Sequence, residues 1–239
     1  MSELYIASQN GNLETVKILC PNTNESTNDY AHSLYISARN GHLNIVKYLC
    51  ETCNINIKSE ALVWASYAGH LNIVKYLLEA GADITSNNNH SFRVACDGGH
   101  LHIVKYLYDA GADIHALNDC AIIWASFRGH LNVIKHLVSL GADIQAQNNA
   151  PLRWASAYEH LEVVKYLVDL GAHVDMSQRC MKYISFCTKM QNKIRERAQK
   201  KIYFWWIPIC YSLTHHSGCG KRMMQKNWEK TNELIEFLQ

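Results

Sequence analysis

Between Leu71 and Leu78 the apolar residues Leu71, Ile73, Val74, Leu77 and Leu78 recur with a helical period, and Lys75 falls outside that stripe. Just before them Leu62, Trp64, Ala65, Tyr67 and Ala68 predict a shorter helix. Gly69 can end the first helix and Gly81 the second, because glycine tolerates a positive φ at a helix terminus. The same pair of helices returns along the chain. Gly-Asn-Leu begins at Gly11, Gly-His-Leu begins at Gly41, Gly69, Gly99 and Gly129, and Glu159-His160-Leu161 continues the register, at spacings of 30, 28, 30, 30 and 30 residues. A small pair precedes the turn each time, as in Ala65-Ser66, Ala95-Cys96, Ala125-Ser126 and Ala155-Ser156, where two helices must approach closely. One such helix pair cannot bury its own stripe, so neighbouring units must stack, and stability becomes a sum over adjacent interfaces. The pattern predicts an all-α solenoid of six units with short loops over residues 1–179, bounded at about 1–31, 32–59, 60–89, 90–119, 120–149 and 150–179.

The run Gly69-His70-Leu71-Asn72-Ile73-Val74-Lys75-Tyr76-Leu77-Leu78-Glu79-Ala80-Gly81-Ala82-Asp83-Ile84 and its copies from Gly99 and Gly129 resemble the ankyrin repeat over about three quarters of the chain. The Trp-Ala-Ser of the first helix and the 30-residue period resemble the expanded ankyrin-repeat families of giant amoebal viruses, Mimivirus-like in style. The resemblance implies units of two antiparallel helices and an extended loop, with partners bound on the concave face. Two departures qualify it. The family's Thr-Pro-Leu-His opening is replaced by His32-Ser33-Leu34-Tyr35, Glu60-Ala61-Leu62-Val63, His90-Ser91-Phe92-Arg93, Cys120-Ala121-Ile122-Ile123 and Ala150-Pro151-Leu152-Arg153, of which only the apolar third position persists. The family unit is also about 33 residues long. The shortfall lies between Asp83 and Phe92 and in the matching loops, so blunted loops are expected where the family projects a hairpin.

Composition changes this picture little. With 48% hydrophobic and 18% charged residues among 239, three prolines and 12 glycines, the chain can fill a core and is neither disordered nor collagen-like. The sequence after Met1 lacks the basic and uninterrupted apolar regions of a secretory leader, and the longest nearly apolar run, Ile202 to Cys210, is far short of the roughly 20 residues a membrane helix needs. An intracellular, cytoplasmic protein without membrane partners is expected, its nine irregularly spaced cysteines reduced. Charge is more informative by region. Residues 1–179 hold 12 Lys+Arg and 17 Asp+Glu, and residues 180–239 hold 11 and 4, so the total of +2 conceals an acidic array joined to a basic segment.

After Asp175 the register fails. Cys180-Met181-Lys182-Tyr183-Ile184-Ser185 echoes Cys120 to Ala125, but no Gly-His-Leu follows, and residues 180–202 read as a degenerate seventh repeat capping the stack. Residues 203–239 form a C-terminal aromatic and helical module, with the run Tyr203-Phe204-Trp205-Trp206-Ile207-Pro208-Ile209-Cys210-Tyr211 and an expected helix from about Lys221 to Leu238. The aromatic run suits either a docking motif or a plug over the last repeat.

Little here carries reaction chemistry. Cys210, His215, His216 and Cys219 are close in sequence but match no standard zinc spacing. Cys50-x-x-Cys53 lacks the strand context of a redox site. Gly218-Cys219-Gly220-Lys221-Arg222 lacks the first glycine and the Ser/Thr of a phosphate loop. No catalytic residue, cofactor or metal is assigned, and neither an enzyme nor a small-molecule site is expected. The repeated His42, His70, His100, His130 and His160 read as hydrogen-bonding turn residues, since ligands of one metal must converge. Lys17, Lys47, Lys75, Lys105, Lys135 and Lys165 form either a basic ladder for phosphates or, more simply, a solvated stripe whose stems cover apolar surface. Trp64, Trp124 and Trp154 occupy a position that is apolar in every unit and are assigned to the core.

The two residues before each turn differ in every unit: Gln9-Asn10, Arg39-Asn40, Tyr67-Ala68, Asp97-Gly98, Phe127-Arg128 and Ala157-Tyr158. The ankyrin resemblance places them at the end of the inner helix, on the concave face. Free drift of exposed positions would also make them vary, but their Tyr and Arg content is that of interface hot spots. Arg39, Asn40, Tyr67, Asp97, Phe127, Arg128 and Tyr158 are therefore the candidate partner-binding residues of a non-enzymatic scaffold for a protein partner, a host protein if the viral resemblance holds. Two alternatives stand beside it. One is a substrate adaptor whose C-terminal module recruits a ubiquitin ligase, as in some poxviral ankyrin proteins; the other, less favoured, is nucleic-acid binding through the basic segment, with Trp205 and Trp206 stacking on bases.

Overall fold

The computed structural model describes residues 2–20, 27–52 and 57–172. The expected seventh repeat, the C-terminal module and Cys53 lie outside them. The described residues form six helix pairs and no strand. The inner helices are α1 (Glu3–Gln9), α3 (Thr27–Asn40), α5 (Lys58–Ala68), α7 (Ser86–Asp97), α9 (Ala116–Arg128) and α11 (Ala146–Ala157). Each is followed by an outer helix: α2 (Leu13–Leu19), α4 (Leu43–Thr52), α6 (Leu71–Glu79), α8 (Leu101–Asp109), α10 (Leu131–Ser139) or α12 (Leu161–Asp169).

Burial follows the predicted stripes. Ile73, Val74 and Leu77 of α6 are buried, as are Ile103, Val104 and Leu107 of α8 and Val133, Ile134 and Leu137 of α10. Each such aliphatic contributes about 1.5–3 kcal/mol on leaving water, so each outer helix from α4 to α12 is tied to its unit by three comparable anchors, whereas α2 buries only Val16. The inner helices stack closely on one another through Ala7, Ala38, Ala65, Ala95, Ala125 and Ala155, all buried, while the outer helices touch their neighbours much less.

The turn between inner and outer helix explains the Gly-His-Leu motif. Gly69 ends α5 at φ +89°, in the left-handed region. A second constraint acts there: a Cβ built on Gly69 would stand 2.7 Å from Cε1 of His100, the histidine of the next unit. That histidine's Nε2–H donates to the carbonyl of Tyr67 at 2.9 Å. The bond repeats along the stack, from His42 to Gln9, His70 to Arg39, His130 to Asp97 and His160 to Phe127. Because a carbonyl only accepts, these contacts place the ring proton on Nε2. The exceptions obey the same logic. Asn12, standing where later units have His, caps α2 by accepting from the Thr15 N–H at 3.2 Å. Glu159 holds the glycine position at φ +60°, and the sequence has Met190, with no histidine, where the next ring would fall.

The three inter-unit loops that lie wholly among the described residues, 80–85, 110–115 and 140–145, are short. Asp83 accepts from the Thr85 N–H at 2.8 Å, and Asp113 and Asp143 make the same turn with His115 and Gln145. The Thr85 bonds hold the Asp83 carboxyl below its usual pKa. Three left-handed residues then kink the start of the inner helix in each of the last three described units: Asn87, Asn88 and Asn89 in α7; Leu117, Asn118 and Asp119 in α9; Gln147, Asn148 and Asn149 in α11. Each such residue costs about 1–2 kcal/mol. In the first two of these turns specific bonds offset that cost. Oδ1 of Asn89 accepts from the Asp113 N–H and Oδ1 of Asp119 from the Asp143 N–H, as Ser59 Oγ does from the Asp83 N–H. The carbonyls freed by the reversed turn are met by Arg93, which donates to Asn87 and Asn88, and by the Gln147 amide, which donates to Leu117 and Asn118.

Candidate protein-interaction surface

The inner helices carry a column of residues five positions before each turn: Ile6, Ile36, Trp64, Val94, Trp124 and Trp154. The expectation that its tryptophans belong to the core is wrong. Trp64 is 38% exposed and Trp154 41%, and Trp124 is only half-buried. The column is apolar because its side chains lie against neighbours in adjacent units along the inner surface. The Arg39 guanidinium lies 5.6 Å from the centre of the Trp64 ring, and that of Arg93 lies 5.0 Å from Trp124.

Around this column the candidate residues fall into two groups. In α9 and α11, the Phe127 ring stands 4.4 Å from Tyr158 and 5.7 Å from Trp154, both edge-on, and Trp154 lies 6.1 Å from Tyr158. Such contacts fix ring orientation and contribute about 0.5–1.5 kcal/mol each. Tyr158 nevertheless remains 51% exposed. Arg128 covers Phe127 at 5.1 Å and grips Asp97 of α7 with two bonds, Nε to Oδ1 at 2.9 Å and Nη2 to Oδ2 at 3.3 Å. The Asp97 bond raises the pKa of this guanidinium, with Tyr67 and Tyr158 adding to the effect. Five of the seven candidates, Tyr67, Asp97, Phe127, Arg128 and Tyr158, thus sit around one aromatic and ion-paired patch.

Arg39 and Asn40 lie apart from it. The Asn40 amide donates to the Gln9 carbonyl at 3.0 Å, the same carbonyl that His42 uses, so it also serves the inter-unit contact. Arg39 is exposed over Trp64, and a shallow depression of about 150 Å³ opens beside it. Trp154 and Trp64 are the residues that sequence reasoning missed. Their signal was present in the changes from Ile to Trp to Val within one column, which a tightly packed core accommodates poorly.

The outer side differs. The lysine stripe is exposed, and the ammonium groups of Lys47, Lys75 and Lys135 lie 5.5, 5.5 and 5.7 Å from the rings of Tyr76, Tyr106 and Tyr166 in the next unit. The simpler reading of that stripe is the one the geometry supports. Among the described residues no group of three or more His, Cys, Asp or Glu is placed to hold a metal ion, and no helix is long and apolar enough to cross a membrane. Cys210, His215, His216 and Cys219 lie outside the described residues. Burial pushes the Cys50 thiol up to about 11 and the Cys96 thiol higher still, which keeps both protonated at neutral pH.

The family model for ankyrin repeats (three copies) matches residues 4–88 and 92–178, most of the chain. The chain is an ankyrin-repeat protein. No curated protein matches it. Ankyrin repeats indicate a protein–protein interaction scaffold, and the exposed inner-helix patch is where this ankyrin array presents its most varied chemistry.

Proposed function

We propose that the chain is a non-enzymatic scaffold that binds a protein partner on the inner-helix face, through Tyr67, Phe127, Arg128, Asp97 and Tyr158 together with Trp154, and with Arg39 and Asn40 at the other end. The carrying observation is the aromatic group of Phe127, Trp154 and Tyr158, exposed at Trp154 and Tyr158, with Arg128 held over Phe127 by Asp97. Rigid aromatic and arginine side chains supply most of the energy in protein interfaces. On the resemblance to the giant-virus families, the partner is a host protein met in the host cytoplasm. The ligase-adaptor reading rests on residues 180–239 and the nucleic-acid reading on the basic C-terminal segment, all outside the described residues, and no observation favours either.

The test is capture from host-cell lysate. The combined change Tyr67→Ala, Phe127→Ala and Tyr158→Ala is expected to abolish recovery of the partner while the helical circular-dichroism signal is kept. Undiminished recovery would sink the assignment.

A further inference from the structure

We propose that the depression formed by Tyr5, His32, Tyr35, Ile36, Arg39 and Trp64 is a subsite for one carboxylate side chain of the partner, with Arg39 as the group that binds it. The proposal rests on the scaffold reading and deepens it by stating the chemistry of one partner residue. Three observations carry it. The first is the state of three inner-helix arginines. Arg128 is already paired with Asp97, and Arg93 spends its guanidinium on the carbonyls of Asn87 and Asn88. Arg39 has neither kind of partner: among the described residues no carboxylate lies within ion-pairing distance of it, and its side chain is exposed.

The second is the contact with Trp64. The Arg39 guanidinium lies 5.6 Å from the centre of the Trp64 ring. A guanidinium against an aromatic ring engages the ring through charge and keeps its in-plane N–H donors for a planar, bidentate acceptor. Trp64 thus prepares Arg39 for a carboxylate without consuming its hydrogen bonds. The third is the size and lining of the depression. Its volume of about 150 Å³ admits a single side chain, and the phenols of Tyr5 and Tyr35 and the imidazole of His32 add polar groups. His32 stands edge-on to Tyr35 at 6.4 Å. Glu60 lies near enough to push the Tyr35 phenol's pKa up, after burial. One unpaired cation with a carboxylate in the vicinity favours a singly charged ligand over a dianionic phosphate.

A phage-displayed library of random peptides, selected on the full-length chain, tests this directly. Peptides enriched on the unaltered protein are expected to share an acidic residue. Selection on Arg39→Glu should lose it, while Arg39→Lys, which keeps charge but not the fork, should retain a weakened preference. Selection on Phe127→Ala with Tyr158→Ala should instead lose aromatic or apolar residues and keep the acid. For a synthetic peptide from the first pool, the Glu→Gln analogue is expected to bind about tenfold more weakly to the unaltered chain and less than about twofold more weakly to Arg39→Glu. Arg39 is exposed, so an unchanged helical signal in Arg39→Glu is expected and serves as the folding control. An acidic preference that is absent, or that survives Arg39→Glu, overturns the subsite. It leaves the scaffold reading standing if Phe127→Ala with Tyr158→Ala still abolishes binding. Tighter binding of a phosphoserine analogue overturns the choice of carboxylate, and a chain that enriches no peptide overturns both readings.

Discussion

The turn side and the inner-helix side of the array solve the same problem, joining one unit to the next, by opposite means. At the turn the chemistry is identical at each step: a histidine lies over the preceding glycine and donates to a carbonyl of the preceding unit. On the inner helices the contacts change along the stack. Arg39 meets Trp64, Arg93 meets Trp124, Arg128 meets Asp97 and Phe127, and Phe127 meets Trp154 and Tyr158. The uniform side is half-buried and sterically restricted, since a Cβ on any of its glycines would meet a histidine ring, whereas the varied side is largely exposed. Holding the stack together at the turn has one repeated solution, and the inner-helix positions depart from it. Variants on the two sides should therefore separate stability from binding.

The largest stability effect is expected at a turn glycine. Gly99 has φ +75°, and a Cβ there would stand 2.6 Å from Cε1 of His130. Gly111 has φ +99° with nothing within 4 Å of the same position. Gly111→Ala carries backbone strain alone, about 1–2 kcal/mol. Gly99→Ala adds the displaced imidazole and its bond to Asp97, for about 3–4 kcal/mol in all. Urea unfolding midpoints measure both. Adding His130→Ala to Gly99→Ala should cost less than the two single changes summed, because the overlap is then gone. Equal costs at Gly99 and Gly111 would show that the histidine does not enforce the glycine.

Next in size is the ladder bond itself. His100→Ala removes the donor to Tyr67 and is expected to cost about 1–2 kcal/mol. Tyr158→Ala, at an exposed ring, should cost less than about 1 kcal/mol while weakening partner capture strongly. If Tyr158→Ala unfolds the array as readily as His100→Ala, the division between the two sides fails.

These contrasts also show how far the sequence could be read. The helix pairs, their register and the need for glycine at the turn were all legible, because apolar period and positive φ are local properties. That the glycine must also clear the next unit's histidine was not, since the two are 29 or 31 residues apart and only stacking brings them together. The Asp97–Arg128 pair was hidden for the same reason, although opposite charges at neighbouring turn-preceding positions of adjacent units were the available signal. Trp64 and Trp154 were misplaced because an apolar period cannot tell a buried stripe from one lying along an exposed stack. The left-handed turn at Asn87, Asn88 and Asn89 was foreseen only as a shorter loop. Asparagine tolerates that conformation, but three in succession depend on bonds to Asp113 and Arg93.

Acidification should act through three histidines, one on each part of the unit: His90 on α7, His100 at a turn and His136 on α10. Burial holds the pKa values of His90, His100 and His136 below the usual 6.5, with Arg93, neighbouring histidines and Lys105 respectively adding to the effect. Below 6.5 the unfolded chain takes up these protons before the folded one does, so stability is complete above that pH and falls as the pH drops through the lowered values. Urea midpoints between pH 7.5 and 5 are expected to decline, and His100→Asn should flatten the decline. An unchanged slope would mean that these rings are free to protonate in place.

The smallest effect is expected on the outer helices, where one position breaks an otherwise repeated contact. Tyr76, Tyr106 and Tyr166 each receive the lysine of the preceding unit over the ring, but His136 stands in that column beside Lys105. An imidazole that takes up a proton there repels the ammonium that a phenol ring attracts. Its Nε2 is also buried without a hydrogen-bond partner among the described residues. His136→Tyr would restore the lysine–tyrosine contact and remove that unpaired nitrogen. It is expected to stabilise the array by about 0.5–1 kcal/mol and to shallow the pH dependence below 6.5. Asp109 opposes part of the repulsion from Lys105, which keeps the expected gain small. A loss of stability in His136→Tyr would show that the fifth unit is packed around the smaller ring, and that the outer helices, like the inner ones, are adjusted unit by unit.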